Sequence, residues 1–196
     1  PQEAIDIMDV YLKRMGETAK AHRGVILKGQ GDGSLFLYQK KDSREAVLAT
    51  VRTLKEFHWM NTQRREHGED YMGMHAGIAL AHGTVGVIGQ LKEFDSWGEA
   101  ANLGRRLEQE AKGKGDILIN ATLYEAVKGI VHAEPINDGQ PVEMKGMVQQ
   151  LVYRVMSVKD TPDNVTGVEK GAPLHARFDG YRDEAGRQEE AFLKIP

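Results

Sequence analysis

"MGMHAGIALAHGTVGVIGQLKEFDSWGEAANLGRRLEQEA", residues 72–111, decides how the chain folds. In and just before it, 71–80 (YMGMHAGIAL) and 84–89 (TVGVIG) are short apolar runs around Ala81-His82-Gly83, the pattern of two strands and a turn. Leu103 and Leu107 then recur four residues apart, which predicts a helix over 98–112. Outward from this stretch the alternation continues. Ile5, Met8, Leu12 and Met15 predict an amphipathic helix over 2–22. Residues 25–30 and 34–39 flank a glycine-rich turn and read as a hairpin. Val47, Val51, Leu54 and His58 carry the helical period across 43–66, behind an N-cap at Asp42 or Ser43. A buried strand at 116–120, a helix at 121–129 and a strand at 149–157 complete the pattern. The succession predicts a mixed α/β sandwich with helices on one face. Beyond about 158, Asp160, Pro162, Asp163 and Asn164 break it, leaving 159–196 as a polar tail with one short helical pattern at 182–193.

Composition narrows the function. The 196 residues suffice for a full hydrophobic core, and 40% apolar with 28% charged residues is ordinary for a globular protein. A net charge of −3, with no clustered lysine and arginine, gives no field for nucleic acid or a membrane surface. Without cysteine, disulfides and thiolate metal sites are excluded. No apolar run approaches the roughly 20 residues needed to span a bilayer, and no stretch reads as a signal peptide, so neither is expected. A cytoplasmic location is expected, on its own or as the cytosolic part of a larger protein. The sequence starts at Pro1, without methionine, directly in a helical pattern, as a fragment of a longer protein would.

The hairpin raises a chemical question. Gly31 and Gly33 suit a tight turn, but a turn alone does not call for Lys28 on the rising strand and Asp32 at the bend. Asp32 is either a turn aspartate bonded to its own backbone or a hard oxygen ligand for Mg²⁺ or Mn²⁺.

Four motifs in order favour the second account. Lys28-x-x-Gly31-Asp32 is followed by Gly73-Met74-His75-Ala76-Gly77, by Gly86-Val87-Ile88-Gly89, and by Gly98-Glu99-Ala100-Ala101-Asn102-Leu103-Gly104-Arg105-Arg106-Leu107. Together they resemble the class III adenylate and guanylate cyclase catalytic domain, over about residues 1–157. The resemblance implies an α+β fold, the ferredoxin-like α/β sandwich of that class, with a C-terminal polar extension at 158–196. It implies two divalent metal ions, Mg²⁺ or Mn²⁺, with Asp32 as a ligand. It also implies a homodimer with sites between protomers, and transition-state roles for Asn102 and Arg106. These two stand four apart on one helix face, where an amide can orient a ribose and a guanidinium fork can clamp a phosphate. A solvated surface pair is the plain alternative. Lys145 falls where the family often has a lysine for the terminal phosphates, at a less tightly patterned position where a solvated lysine is the plain alternative. His75 falls on a strand histidine that is usually structural, and with His82 seven residues on makes a poor metal pair. Met8, Met15, Trp59 and Trp97 read as core or interface.

Base selection follows from Lys28 and Asp95, which stand where the family's adenylate cyclases have lysine and aspartate and its guanylate cyclases glutamate and cysteine. Adenine offers an amino donor to a carboxylate and a ring nitrogen to an ammonium. Guanine would leave those groups unpaired, at a large cost if buried. ATP is the expected substrate, and an exposed Lys–Asp ion pair would mean little.

Three departures are evident. The family's first metal aspartate, in a Phe-x-Asp-Ile-x-Gly-Phe strand, has no counterpart in 1–196, so residues 1–157 read as a catalytic domain lacking its first strand. Glu99 replaces an aspartate, and Gly104 replaces an alanine at a cost of about 1 kcal/mol in helix propensity. Two readings result. One is an adenylate cyclase making 3′,5′-cyclic AMP and pyrophosphate in signal transduction, attached to upstream sensor or regulatory domains. The other is a catalytically silent cyclase-homology domain that binds nucleotide or dimerises.

Overall fold

The computed structural model describes residues 2–30, 32–66, 73–88, 93–112 and 116–159. Its helices are α1 (Gln2–Ala21), α2 (Ser43–Glu66), α3 (Glu99–Ala111) and α4 (Ala121–Val127). Its strands are β1 (Val25–Gln30), β2 (Gly33–Leu37), β3 (Ala76–Ile78), β4 (Thr84–Ile88), β5 (Glu93–Trp97), β6 (Ile117–Asn120), β7 (Val131–Pro135) and β8 (Val152–Val158). Strands β5 and β7 were not expected from the sequence. The helical pattern at 182–193 and the rest of the tail beyond Lys159 lie outside the described residues.

Four strands form the main sheet in the order β3-β6-β8-β7, with β3 parallel to β6 and β8 antiparallel to both its neighbours. Strand alternation gives this sheet two apolar faces. Ile78, Leu80, Ile119 and Tyr153 point to one side, where they meet Val47 and Val51 of α2 and Leu123 and Val127 of α4. Ala79, Ala81, Leu118 and Val152 point to the other, against Leu103, Leu107 and Ala111 of α3 and Met144. Helices therefore cover both faces of the sandwich, which corrects the expectation of one. Ala79 and Ala81, just past β3, conceal the second face, because they read as neutral in a hydropathy pattern.

Buried Asn120 joins two elements. Its Oδ1 accepts from Leu80 N at 3.0 Å and its Nδ2 donates to Leu80 O at 3.1 Å, continuing the parallel ladder past β3. The same Oδ1 caps α4 through Leu123 N at 3.4 Å.

The hairpin β1–β2 stands outside the main sheet, held by a third core of Tyr11, Met15, Phe57 and Met60 with Phe36, Trp59 and Met74 packed against it. Met15 and Trp59 are thus packing residues, as expected. Polar contacts clamp the hairpin's base to the start of α2. His22 Nδ1 lies 2.8 Å from Glu45 Oε2, Arg23 Nη1 donates to buried Asp42 Oδ1 at 3.3 Å, and the Tyr38 ring lies over Gly24. Burial, reinforced by the Glu45 charge, pushes the Tyr38 hydroxyl up to about 12. A short 3-10 turn, Lys40–Asp42, leads into α2, with Ser43 Oγ donating to Lys40 O at 2.6 Å. No helix among the described residues is long and apolar enough to cross a membrane.

Candidate active site

Strand register fixes the hairpin tip. Gln30 pairs with Gly33, which places Asp32 at the exposed end of the hairpin. Lys28 sits four residues before Asp32, opposite Leu35, just past a bulge between Ile26 and Lys28.

A second hairpin brings up Asp95. Strand β5 pairs antiparallel with β4, Asp95 opposite Gly86. Strand β5 also touches β1 without pairing with it, so the strands bearing Lys28 and Asp95 approach each other. From β5 the chain passes through Gly98 into α3. Gly98 has φ +112° and ψ −168°, a conformation open to glycine and strained for any other residue. The turn also closes tightly here, because Ala100 N donates to His82 O at 3.0 Å. The start of α3 is thus pinned to the β3–β4 connection.

Along α3, Leu103, Leu107 and Ala111 form the buried stripe. Exposed Asn102 and half-buried Arg106 share its flank, where Arg106 Nη1 donates to Gln109 Oε1 at 2.9 Å. Gly77 brings β3 close to the opposite flank. A Cβ at this position would fall 2.7 Å from Leu107 C and nearer still to Glu108 N and Gly104 O. Gly104 is different: a Cβ there would meet only Gly77 O, at 3.8 Å. Lys145 is exposed in the loop bridged by Val142 and Gln150, and the neighbouring Met144 and Met147 pack on the α3 core.

The elements bearing Lys28, Asp95, Asn102, Arg106 and Lys145 are therefore contiguous: β1 against β5, β5 into α3, α3 against the 142–150 loop. Asp32 stands exposed at the end of the same hairpin, four residues beyond Lys28. Among the described residues, no three His, Asp or Glu side chains converge on one point. His82 is exposed, whereas His75 Nε2 lies 2.7 Å from Glu108 Oε1. Sequence reasoning missed that last pair and the steric role of Gly77. The row of small residues following His75 was the available signal.

Comparison with known proteins agrees with this layout. No curated protein matches the chain. Among solved structures, the adenylyl cyclase CyaB from P. aeruginosa superposes with a TM-score of 0.73 at 26% identity, over 83% of this chain and 86% of that one. The guanylyl cyclase Cya2 gives 0.73 at 28% identity, over 85% and 86%. The guanylate cyclase domain of RhGC from Catenaria anguillulae, in complex with GTP, gives 0.69 at 19% identity, over 81% and 86%, a likeness of fold alone. The family profile described as the adenylate and guanylate cyclase catalytic domain matches residues 1–157. With its sheet, its hairpins and its motif order all accounted for, the chain belongs to the adenylate and guanylate cyclase catalytic domain family, the class III nucleotidyl cyclases.

Proposed function

We propose that the chain is the catalytic domain of an adenylate cyclase, converting ATP to 3′,5′-cyclic AMP and pyrophosphate at sites shared by two protomers. Residues 1–157 are the catalytic unit in this reading and 158–196 an extension. Domains of this family bind nucleotide, use divalent metal ions and act as dimers. The adenylate reading is carried by one observation: β1 and β5 touch, so Lys28 and Asp95 stand on strands in contact, one able to donate to a ring nitrogen and the other to accept from an amino group.

The roles follow from side-chain chemistry. Lys28 and Asp95 hold adenine, and Asn102 orients the ribose so that its 3′-oxygen lines up on the α-phosphorus. Arg106 stabilises the charge that grows on the α-phosphate as the bond to pyrophosphate breaks. Lys145 binds the terminal phosphates as a point charge. A Mg²⁺ carried largely by nucleotide phosphates needs only one or two protein carboxylates, and Asp32, exposed at the hairpin tip of the other protomer, fits as one of them for Mg²⁺ or Mn²⁺. When bound, the two ions neutralise phosphate charge and activate the attacking oxygen.

Exchanging both base-reading residues tests the assignment. In the full-length protein, Lys28→Glu with Asp95→Cys should lower kcat/KM for ATP by about 100-fold and raise relative use of GTP, because each polar group lost or left unpaired costs about 1–3 kcal/mol. Competition between the two nucleotides measures it. Unchanged selectivity would rule out adenine reading by this pair. A wild-type protein that makes no cyclic nucleotide from either substrate would instead be the silent, nucleotide-binding or dimerising homologue.

A further inference from the structure

His75, Gly77, Ala79 and Ala81 follow one another at strand spacing along and beside β3. Ala79 and Ala81 pack on the side of the sheet that α3 covers, and Gly77 lies against the α3 backbone at Gly104, Leu107 and Glu108. Small residues let the helix come close but give little to stop it from sliding or rolling. His75 is the bulky, polar member of this row. Its Nε2 stands 2.7 Å from Glu108 Oε1. A carboxylate only accepts, so the ring nitrogen carries the hydrogen.

Glu108 occupies a telling position. Successive helix residues are about 100° apart, so Asn102 and Arg106 flank the buried stripe on one side and Glu108 on the other, about 160° from Arg106. A tether at Glu108 therefore holds the flank opposite the one on which the candidate catalytic groups sit. Together with the His82–Ala100 bond at the helix start, it fixes α3 at two points.

We propose that the His75–Glu108 pair is a clasp that sets the rotation and axial register of α3, making His75 a positioning residue for the chemistry of Asn102 and Arg106. The proposal rests on the cyclase reading above. Glu108 is 42% exposed and His75 24%, so the pair adds little to stability. Its contribution lies in geometry, where a displacement of about 1 Å at a reacting group costs about 100-fold in rate.

Steady-state kinetics, thermal unfolding and amide hydrogen exchange on the full-length protein test this. His75→Ala and Glu108→Ala should each lower kcat by about 10-fold, with the nucleotide KM within about twofold. Tm should move by less than about 4 °C. Glu108→Gln, whose amide oxygen still accepts, should keep most of the rate, and the double alanine variant should be no slower than either single one. Exchange across 99–111 should quicken in the alanine variants while α4 is unaffected. Unchanged kcat, additive losses, or kcat and Tm falling together without rescue by glutamine would overturn the clasp. Should the wild type make no cyclic nucleotide, the functional reading falls alone and exchange decides: protection over 99–111 equal to wild type would overturn the clasp.

Discussion

Replacing Arg106 by alanine is expected to lower kcat by about 10²–10³-fold, the size of effect seen when one preorganised charge-stabilising donor is removed. The KM for ATP should change by less than about threefold, because the contact strengthens mainly as charge develops on the α-phosphate. Arg106 is half-buried on the flank of α3, outside the Leu103, Leu107 and Ala111 stripe, so its loss should leave the fold intact. Arg106→Lys should rescue poorly, since an ammonium cannot supply the two parallel donors of a guanidinium. Steady-state kinetics with a Tm control decide the matter. A raised KM with kcat preserved would mean that Arg106 binds ground-state nucleotide and has no special hold on the transition state.

Two glycines that face each other should behave oppositely. Gly77→Ala places a methyl group inside the space of the α3 backbone at Glu108 and Gly104, and backbone cannot swing aside as a side chain can. The helix must lift from β3, at a cost of about 3 kcal/mol or more. Because α3 carries Asn102 and Arg106, the same displacement should also cut kcat by more than about 10-fold. Gly104→Ala meets only ordinary contact at 3.8 Å and should gain up to about 1 kcal/mol of helix propensity. Urea midpoints of the two variants measure the contrast. Equal stability for both would mean that β3 and α3 are not packed as closely as described.

Much of this architecture was legible in the residues. The range expected for α2 matches Ser43–Glu66, and α3, β6 and the first hairpin fall within a few residues of their expected bounds, because each has a clear apolar period or a glycine turn. Strand β5 was missed. Glu93, Asp95 and Ser96 give it no apolar run, and it is a strand because β4 pairs with it. Strand β7 was missed for another reason: Pro135 at its end and exposed His132 and Glu134 mask an edge strand that β8 recruits. At the site, the motifs marked individual residues in order along the chain. What they could not convey was contact between distant elements. The proximity of β1 to β5, the pinning of Gly98 at the β3–β4 turn and the His75–Glu108 pair all depend on tertiary packing.

The central claim is that the hairpin of one protomer and α3 of another build one site, and mixing two inactive proteins tests it most directly. Asp32→Ala removes the hairpin's metal ligand, while Arg106→Ala removes the clamp on the transition state, so each variant retains the half that the other lacks. Full-length proteins carrying either substitution should be inactive alone. Mixed in equal amounts, with chains pairing at random, they should recover about a quarter of the wild-type sites, since half of the dimers are mixed and each of those holds one intact site. Cyclic AMP formed from ATP, measured alongside the population of mixed dimers, gives the answer. Activity near that level supports a shared site, whereas a mixture that stays inactive while mixed dimers form would contradict it.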